Sequence, residues 1–347
     1  MDSTINHITV TVLMPVFNGE KYLKQAIESI LNQDYKDFEF MIINDGSLDN
    51  SLRIIESYSD NRIVVINNER NIGLINSLNK GLDMIHSDYI VRMDCDDICE
   101  INRISEQVKF MESNPNIGAC GSYYYQQRGD KKVIFTEPIN SQEINAFMIF
   151  NSPIAHPTAI IRNKILKEHH LYYSINHIHA EDYKLWIDIS NHSLLANIAL
   201  PLLIYRVHEN QITGNKILLS SKKETLDNIR LSQLNRIGIF PSVEELQIHH
   251  LIFNGEKPES IQQLNDSMIW LNKLVKHLKL NQSSNLEYFN KIIIERWLRL
   301  CVNFYGVKKG FFYFFKSSIN KSIQLKTKHK IDLIKSFYYS YKRSPFY

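Results

Sequence analysis

Between residues 8 and 93, short apolar runs alternate with amphipathic stretches, and few folds can accommodate that alternation. Residues 8–17 are β-branched and apolar, of the buried parallel-strand type, with Pro15 expected to break the run. Within residues 21–33, Tyr22, Leu23, Ala26, Ile27, Ile30 and Leu31 recur at helical spacing, after Asn18-Gly19 as the cap. Residues 38–43 read as a second strand. The cycle then repeats with a helix at 51–58, a strand at 63–66, a helix at 72–86 and a strand at 89–93. Strands alternating with helices predict an α/β fold, a Rossmann-like and mainly parallel sheet covered by helices on both faces. In such sheets ligands sit beyond the carboxyl ends of the strands. Attention therefore falls on loops 15–20, 44–50, 69–73 and 94–99, each of which directly follows a strand.

After about residue 215 the strand signals fade, and residues 221–237, 243–253, 260–278 and 285–303 read as amphipathic helices. The expected division is a catalytic domain at 1–214 and a helical region at 215–347. A chain of 347 residues suits one main domain plus a smaller one. Its net charge of +3 is too small to indicate nucleic acid. The first residues lack a basic segment leading into an apolar one, and no apolar run approaches the roughly 18 residues of a spanning helix. The expectation is a cytoplasmic protein. Cys95, Cys99, Cys120 and Cys301 form no CxxC pair, so they read as reduced thiols. From Lys308 onward, lysines surround Phe311, Phe312, Tyr313, Phe314, Phe315, Phe337, Tyr338 and Tyr339, and Asp332 is the sole acid. Such a tail suits an anionic membrane surface, which would make the protein peripheral on the inner face of the cytoplasmic membrane. Packing of the same aromatics inside the helical region is the competing reading.

The strongest chemical signal is Arg92-Met93-Asp94-Cys95-Asp96-Asp97, where carboxylates crowd a strand end. Like charges side by side raise carboxyl pKa values unless a cation neutralises them, and hard oxygen ligands suit Mn²⁺ or Mg²⁺. Asn44-Asp45-Gly46-Ser47-Leu48-Asp49 follows the second strand and, taken alone, reads equally as a turn capping the next helix. Met14 to Asn18 and Asn71-Ile72-Gly73 complete a set of loops that converge on one sheet edge.

As a set, Pro15-Val16-Phe17-Asn18-Gly19-Glu20, the Asp45 loop, Asn71-Ile72-Gly73-Leu74 and Arg92 to Asp97 resemble family 2 glycosyltransferases of the GT-A fold, over about residues 8–215. The resemblance continues through His156-Pro157-Thr158, then Glu181-Asp182-Tyr183-Lys184-Leu185-Trp186 and Tyr205-Arg206-Val207-His208. It implies inverting, metal-dependent transfer of a single sugar from a UDP-sugar to a hydroxyl of a glycan or lipid-linked glycan, as in surface-polysaccharide synthesis. Pro15, Val16, Phe17, Asn18, Glu20, Asn71, Gly73, Arg92 and Cys95 fall on the donor side. Asp45 would accept from the uracil ring, and Asp94 would address the ribose or the metal. Asp96 would hold the metal, His208 would be a further metal or phosphate ligand, and Arg206 would reach the diphosphate. Asp182 carries the general-base role, with Glu181 as its alternate, and His156 lies toward the acceptor.

Two departures stand out. Many relatives carry Arg-Asn in the helix after N-x-G, where this chain has Leu78-Asn79, so Arg92 is expected to supply the missing positive charge. Processive members carry Gln-x-x-Arg-Trp, and here Ile293 stands where the Gln would be, before Arg296-Trp297. Two other function classes compete. A sugar nucleotidyltransferase would need a glycine-rich, arginine-bearing loop after the first strand, and residues 14–20 hold one glycine and no arginine. A silent nucleotide-sugar-binding scaffold has no need of Asp45, Asp94, Asp96 and Asp182 together.

Overall fold

A computed structural model describes residues 8–209, 219–281 and 285–323. Its strands are β1 (Val10–Val16), β2 (Phe38–Asn44), β3 (Ile63–Asn67), β4 (Tyr89–Arg92), β5 (Ile98–Cys99), β6 (Ile117–Arg128), β7 (Lys131–Phe135), β8 (Ile160–Arg162) and β9 (Leu194–Arg206). Between them lie α1 (Glu20–Leu31), α2 (Ser51–Glu56), α3 (Leu74–Met84), α4 (Arg103–Ser113), α5 (Ser141–Phe147), α6 (Asn163–His169) and α7 (Glu181–Ser190). Six further helices follow: α8 (Leu219–Arg236), α9 (Val243–Asn254), α10 (Ile261–Leu280), α11 (Leu286–Tyr305), α12 (Val307–Lys316) and α13 (Ser318–Ser322).

Backbone contacts divide the chain into two units. One holds the chain up to Ser141 together with Ser152–Thr225; the other holds Gln142–Asn151 and the chain from Leu226 on. Where the sequence reading places one cut at 214/215, the contacts interleave a short segment of the first half with the helices of the second. Nothing local marks residues 142–151 for that placement, because the partners of Ile149 and Phe150 lie on distant helices.

In the first unit the sheet order is β3-β2-β1-β4-β8-β6-β9-β5, with β7 paired to β6. Strands β3, β2, β1 and β4 are mutually parallel, as their helical connections require. Beyond them β8 runs antiparallel to both β4 and β6, whereas β6 and β9 are parallel. Central β1 is buried along its whole length. Pro15 does not break it, contrary to expectation, and pairs with Ile43. Leu13 C=O accepts from Met93 at 3.1 Å and Val16 C=O from Asp45 at 2.8 Å, so odd-numbered residues turn toward β4 and even-numbered ones toward β2. The missing N–H of Pro15 thus faces β4 past Leu13, where pairing has ended, and costs no ladder bond. Helix α1 covers one face through Leu23, Ala26, Ile27 and Ile30, which recur at the expected spacing.

The second unit is helical. Its core gathers Trp270, Leu271, Leu274, Ile293, Trp297 and Leu298 with Ile149 and Phe150. Ser242 and Glu245 close a capping box at the start of α9, and Ser260 accepts from Gln263 N–H at the start of α10. Among the described residues no helix is long and apolar enough to cross a membrane. The tail from residue 324, including Phe337, Tyr338 and Tyr339, lies outside the described residues.

Candidate active site

Four loops meet at the carboxyl edge of β1–β4, and hydrogen bonds lace them together. Asn18 takes a left-handed φ of 50°, which brings its N–H to Ser47 Oγ at 3.0 Å and its Oδ1 to Leu48 N–H at 2.8 Å. Gly19 and Glu20 N–H donate to Ser51 Oγ and Asp49 Oδ2, while Glu20 Oε2 accepts from Asn50. The second loop passes so close to the third that a Cβ on Gly46 would lie 2.5 Å from the Arg70 backbone. Asp45, 3% exposed, clamps that third loop, its carboxylate accepting from Ile72 N–H, Gly73 N–H and Asn68 Nδ2, each at 2.9 Å. Asn71 accepts from Gly73 as well, so the N-x-G turn is held from both sides.

The fourth loop carries the charge. Asp94, Asp96 and Asp97 can each bring a ligand atom within 4.8 Å of the others. Fully buried Asp97 accepts from Arg206 N–H through one oxygen, and its Oδ2 has no hydrogen-bond partner among the described residues. Burial, then Asp94 and Asp96, hold the Asp97 carboxyl well above the usual carboxylate range. Asp96 is also raised, by burial and Asp94, with His208 opposing. His208 Nε2 sits 3.0 Å from Asp96 Oδ2, its ring stacked on Tyr22 at 4.5 Å. Arg206 reaches the Asp96 carbonyl, Gln25 Oε1 and the Tyr22 carbonyl, bolting β9 to α1 and the acidic loop. Arg92 is 2% exposed, pairs with Asp94 and also lowers the Asp97 carboxyl by its charge. An acidic cluster with a buried, unpaired oxygen and raised carboxyl pKa values fits a divalent cation, with His208 as an added nitrogen donor.

Helix α7 begins with the expected pair of acids. Glu181 is 8% exposed, and burial raises its pKa. Asp182 accepts from Ser152 Oγ at 3.3 Å; burial, then the neighbouring Glu181 charge, push its carboxyl to about 7. Both acids lie within electrostatic reach of Arg92, which pulls them down, and Glu181 also within reach of Asp94, which raises it. His156 Nε2 lies 2.9 Å from Tyr173 Oη, and burial and Arg92 hold the imidazole well below its ordinary pKa, in the neutral form. Tyr173 is fixed through its backbone by Asn79, which donates to its C=O and accepts from its N–H.

Sequence reasoning passed over Asp97, Tyr173, Tyr22 and Glu137. Asp97 stood within the acidic motif, but only burial separates its role from that of its neighbours. Glu137 makes no hydrogen bond or ion pair among the described residues, and burial lifts its carboxyl to about 8. Asn197 Nδ2 donates to both Pro138 and Pro153 carbonyls, which ties the Glu137 loop to the segment that carries Ser152. No local motif announces that arrangement.

Comparison with known proteins bears on the family and the fold. A profile for Glycosyl transferase family 2 matches residues 11–170. An uncharacterized glycosyltransferase of Haemophilus influenzae is 36% identical over 275 residues, covering 73% of this chain and 84% of that one. The Escherichia coli UDP-Glc:alpha-D-GlcNAc-diphosphoundecaprenol beta-1,3-glucosyltransferase WfaP is 30% identical over 231 residues, covering 66% of this chain and 89% of its own. Among solved structures, S. aureus TarS residues 1–349, crystallised with UDP-GlcNAc, superposes with a TM-score of 0.57 at 15% identity, covering 98% of this chain and 93% of that one, a likeness of fold.

Proposed function

The chain belongs to glycosyl transferase family 2, and from that premise we propose that it transfers one sugar, with inversion, from a UDP-sugar to a hydroxyl of a glycan acceptor in polysaccharide synthesis. It is a glycosyltransferase of the GT-A fold. The observation that carries the finer reading is the placing of Asp182, its carboxyl at about 7, within one electrostatic neighbourhood with the acidic cluster after β4. A base whose pKa lies near the working pH suits proton abstraction.

In this mechanism the acceptor oxygen forms its bond to the anomeric carbon as the bond from that carbon to the diphosphate oxygen breaks, on the opposite side. The hydroxyl proton passes to Asp182. Ser152 holds that carboxylate in place, and Glu181 beside it raises its basicity. A divalent cation, Mn²⁺ or Mg²⁺, held by Asp94, Asp96 and His208 would neutralise charge that develops on the departing diphosphate. Residues Pro15 to Glu20, Asp45, Asn71, Gly73, Arg92, Cys95 and Arg206 form or brace the donor edge. The clamp on Ile72 and Gly73 gives Asp45 a second task besides uracil recognition, namely holding the third loop at the height of the first. Half-buried His156, its imidazole held neutral, suits a hydroxyl of the acceptor. WfaP acts, by its name, on a diphosphoundecaprenol-linked sugar and uses UDP-Glc, which supports a UDP donor and a lipid-linked acceptor. The test is a screen of UDP-sugars for divalent-dependent UDP release, with product configuration read by NMR. Full turnover in excess chelator or a retained configuration would overturn the mechanism; absence of release with every donor would favour the silent scaffold.

A further inference from the structure

Helix α12 is held against α11 by Gly310, where a Cβ would lie 2.7 Å from the Cys301 carbonyl oxygen and from Val302 Cα. Its roll is fixed on the same side by Phe314, which is buried, and by Tyr313 Oη, which donates to Asn265 Oδ1 at 3.1 Å. The opposite face carries Lys308, Lys309, Phe312, Phe315 and Lys316, all exposed and spaced three and four apart. Phe312 is 62% exposed and Phe315 48%, with Lys316 Nζ 4.2 Å over the Phe312 ring. No acidic residue occurs between Val307 and Ile323.

We propose that this face of α12 docks on an anionic lipid bilayer. The inference rests on the reading that the acceptor is presented at a membrane, and it goes further by assigning the surface. Single exposed apolar side chains are ordinary, but two phenylalanines framed by three lysines on one fixed helix face match the chemistry of a bilayer interface. The rings enter the headgroup layer, and the ammonium groups extend to lipid phosphates on flexible stems. With no acid from Val307 to Ile323 to neutralise the lysines, the face is complementary to a sheet of negative charge.

Flotation of the full-length protein with vesicles of phosphatidylglycerol in phosphatidylcholine, against phosphatidylcholine alone, measures the docking. The protein should float with the anionic vesicles at low salt. Lys308→Gln, Lys309→Gln and Lys316→Gln combined should lower partitioning on the order of 100-fold. Phe312→Ser with Phe315→Ser should lower it even at low salt, and UDP release from the donor should be unchanged in both variants. Phe337→Ser, Tyr338→Ser and Tyr339→Ser, combined, should leave binding intact. Absence of binding by the parent protein, equal binding by the α12 variants, or loss confined to the 337–339 variant would each overturn the proposal. A parent protein that floats with anionic vesicles yet releases no UDP would sink the catalytic reading alone.

Discussion

Each unit contains a largely buried cluster of charge built from similar residues, and their difference sets a fold-holding network against the one proposed to react. In the helical unit Arg230 is 1% exposed, and its guanidinium donates to the Phe150 carbonyl at 2.9 Å and Asn254 Oδ1 at 3.0 Å, with His250 Nδ1 at 2.8 Å. Asp227 lies 2.7 Å from that imidazole nitrogen. Neighbouring His249 is kept neutral by burial and by Arg230, and accepts from Trp270 Nε1. A single arginine is thus met by acceptors chosen to fit it, and through Phe150 it ties segment 142–151 to the helices of its unit. The sheet unit does the reverse. Asp94, Asp96, Asp97, Glu181 and Asp182 crowd around Arg92 and Arg206, an excess of acid in a desolvated place. The carboxyls of Asp96, Asp97, Glu181 and Asp182 are raised by burial and by neighbouring acids, a costly arrangement that a bound cation and a substrate proton would relieve.

The contrast can be broken most severely at Asp96. Asp96→Asn should reduce transfer at least about 10³-fold while the metal-free protein melts no lower than the parent, because the change relieves like-charge crowding. Rate assays beside thermal unfolding in chelator check it, and a variant that loses activity only because it unfolds would place Asp96 with the structural cluster. Arg230→Leu should behave oppositely, losing about 3–5 kcal/mol of stability by leaving buried acceptors unmet, with turnover per folded molecule unchanged. Denaturant titration together with active-site counting reads both. The pH profile is a milder test. The proposed base, Asp182, acts only when ionised, so transfer should fall about tenfold per unit below a half-point near 7 and level off above it. Smallest is Tyr173→Phe, which removes the Oη contact to His156 and should cost about 1 kcal/mol, seen as a melting point lower by roughly 2–4 °C.

Much of the sheet unit was legible in the sequence because its signals are local. The β-branched runs of β1 and β2 and the spacing of Leu23, Ala26, Ile27 and Ile30 announce their elements, and strand ends then fix which loops meet. Pro15 was misjudged because whether proline breaks a strand depends on which neighbour its nitrogen faces, and that is decided by where β4 stops. The antiparallel insertion of β8 between β4 and β6 was equally hidden, since a strand of Ile160–Arg162 is too short to carry a period. In the site, Asp94, Asp96 and the Glu181-Asp182 pair stood out by adjacency. Tyr173 and Glu137 did not, because what distinguishes them is burial beside residues distant in sequence. The interleaving of 142–151 belongs to the same class: its cause is the pairing of Phe150 with Arg230 across 80 residues.

Asp182→Asn at pH 8 tests the central claim most directly, because it sets stability against function at one carboxyl. Burial raises the folded-state pKa of Asp182 above its unfolded value, so its favourable contribution is complete at low pH and is lost as pH rises through about 7. At pH 8 the parent therefore carries a half-buried, ionised acid beside Glu181, and a neutral amide that can still accept from Ser152 removes that strain. The account predicts a protein that melts higher than the parent, binds UDP-sugar normally and transfers at least about 10²-fold more slowly. A variant that melts lower and keeps near-parental turnover would contradict it, and would move Asp182 from the reactive cluster to the scaffold.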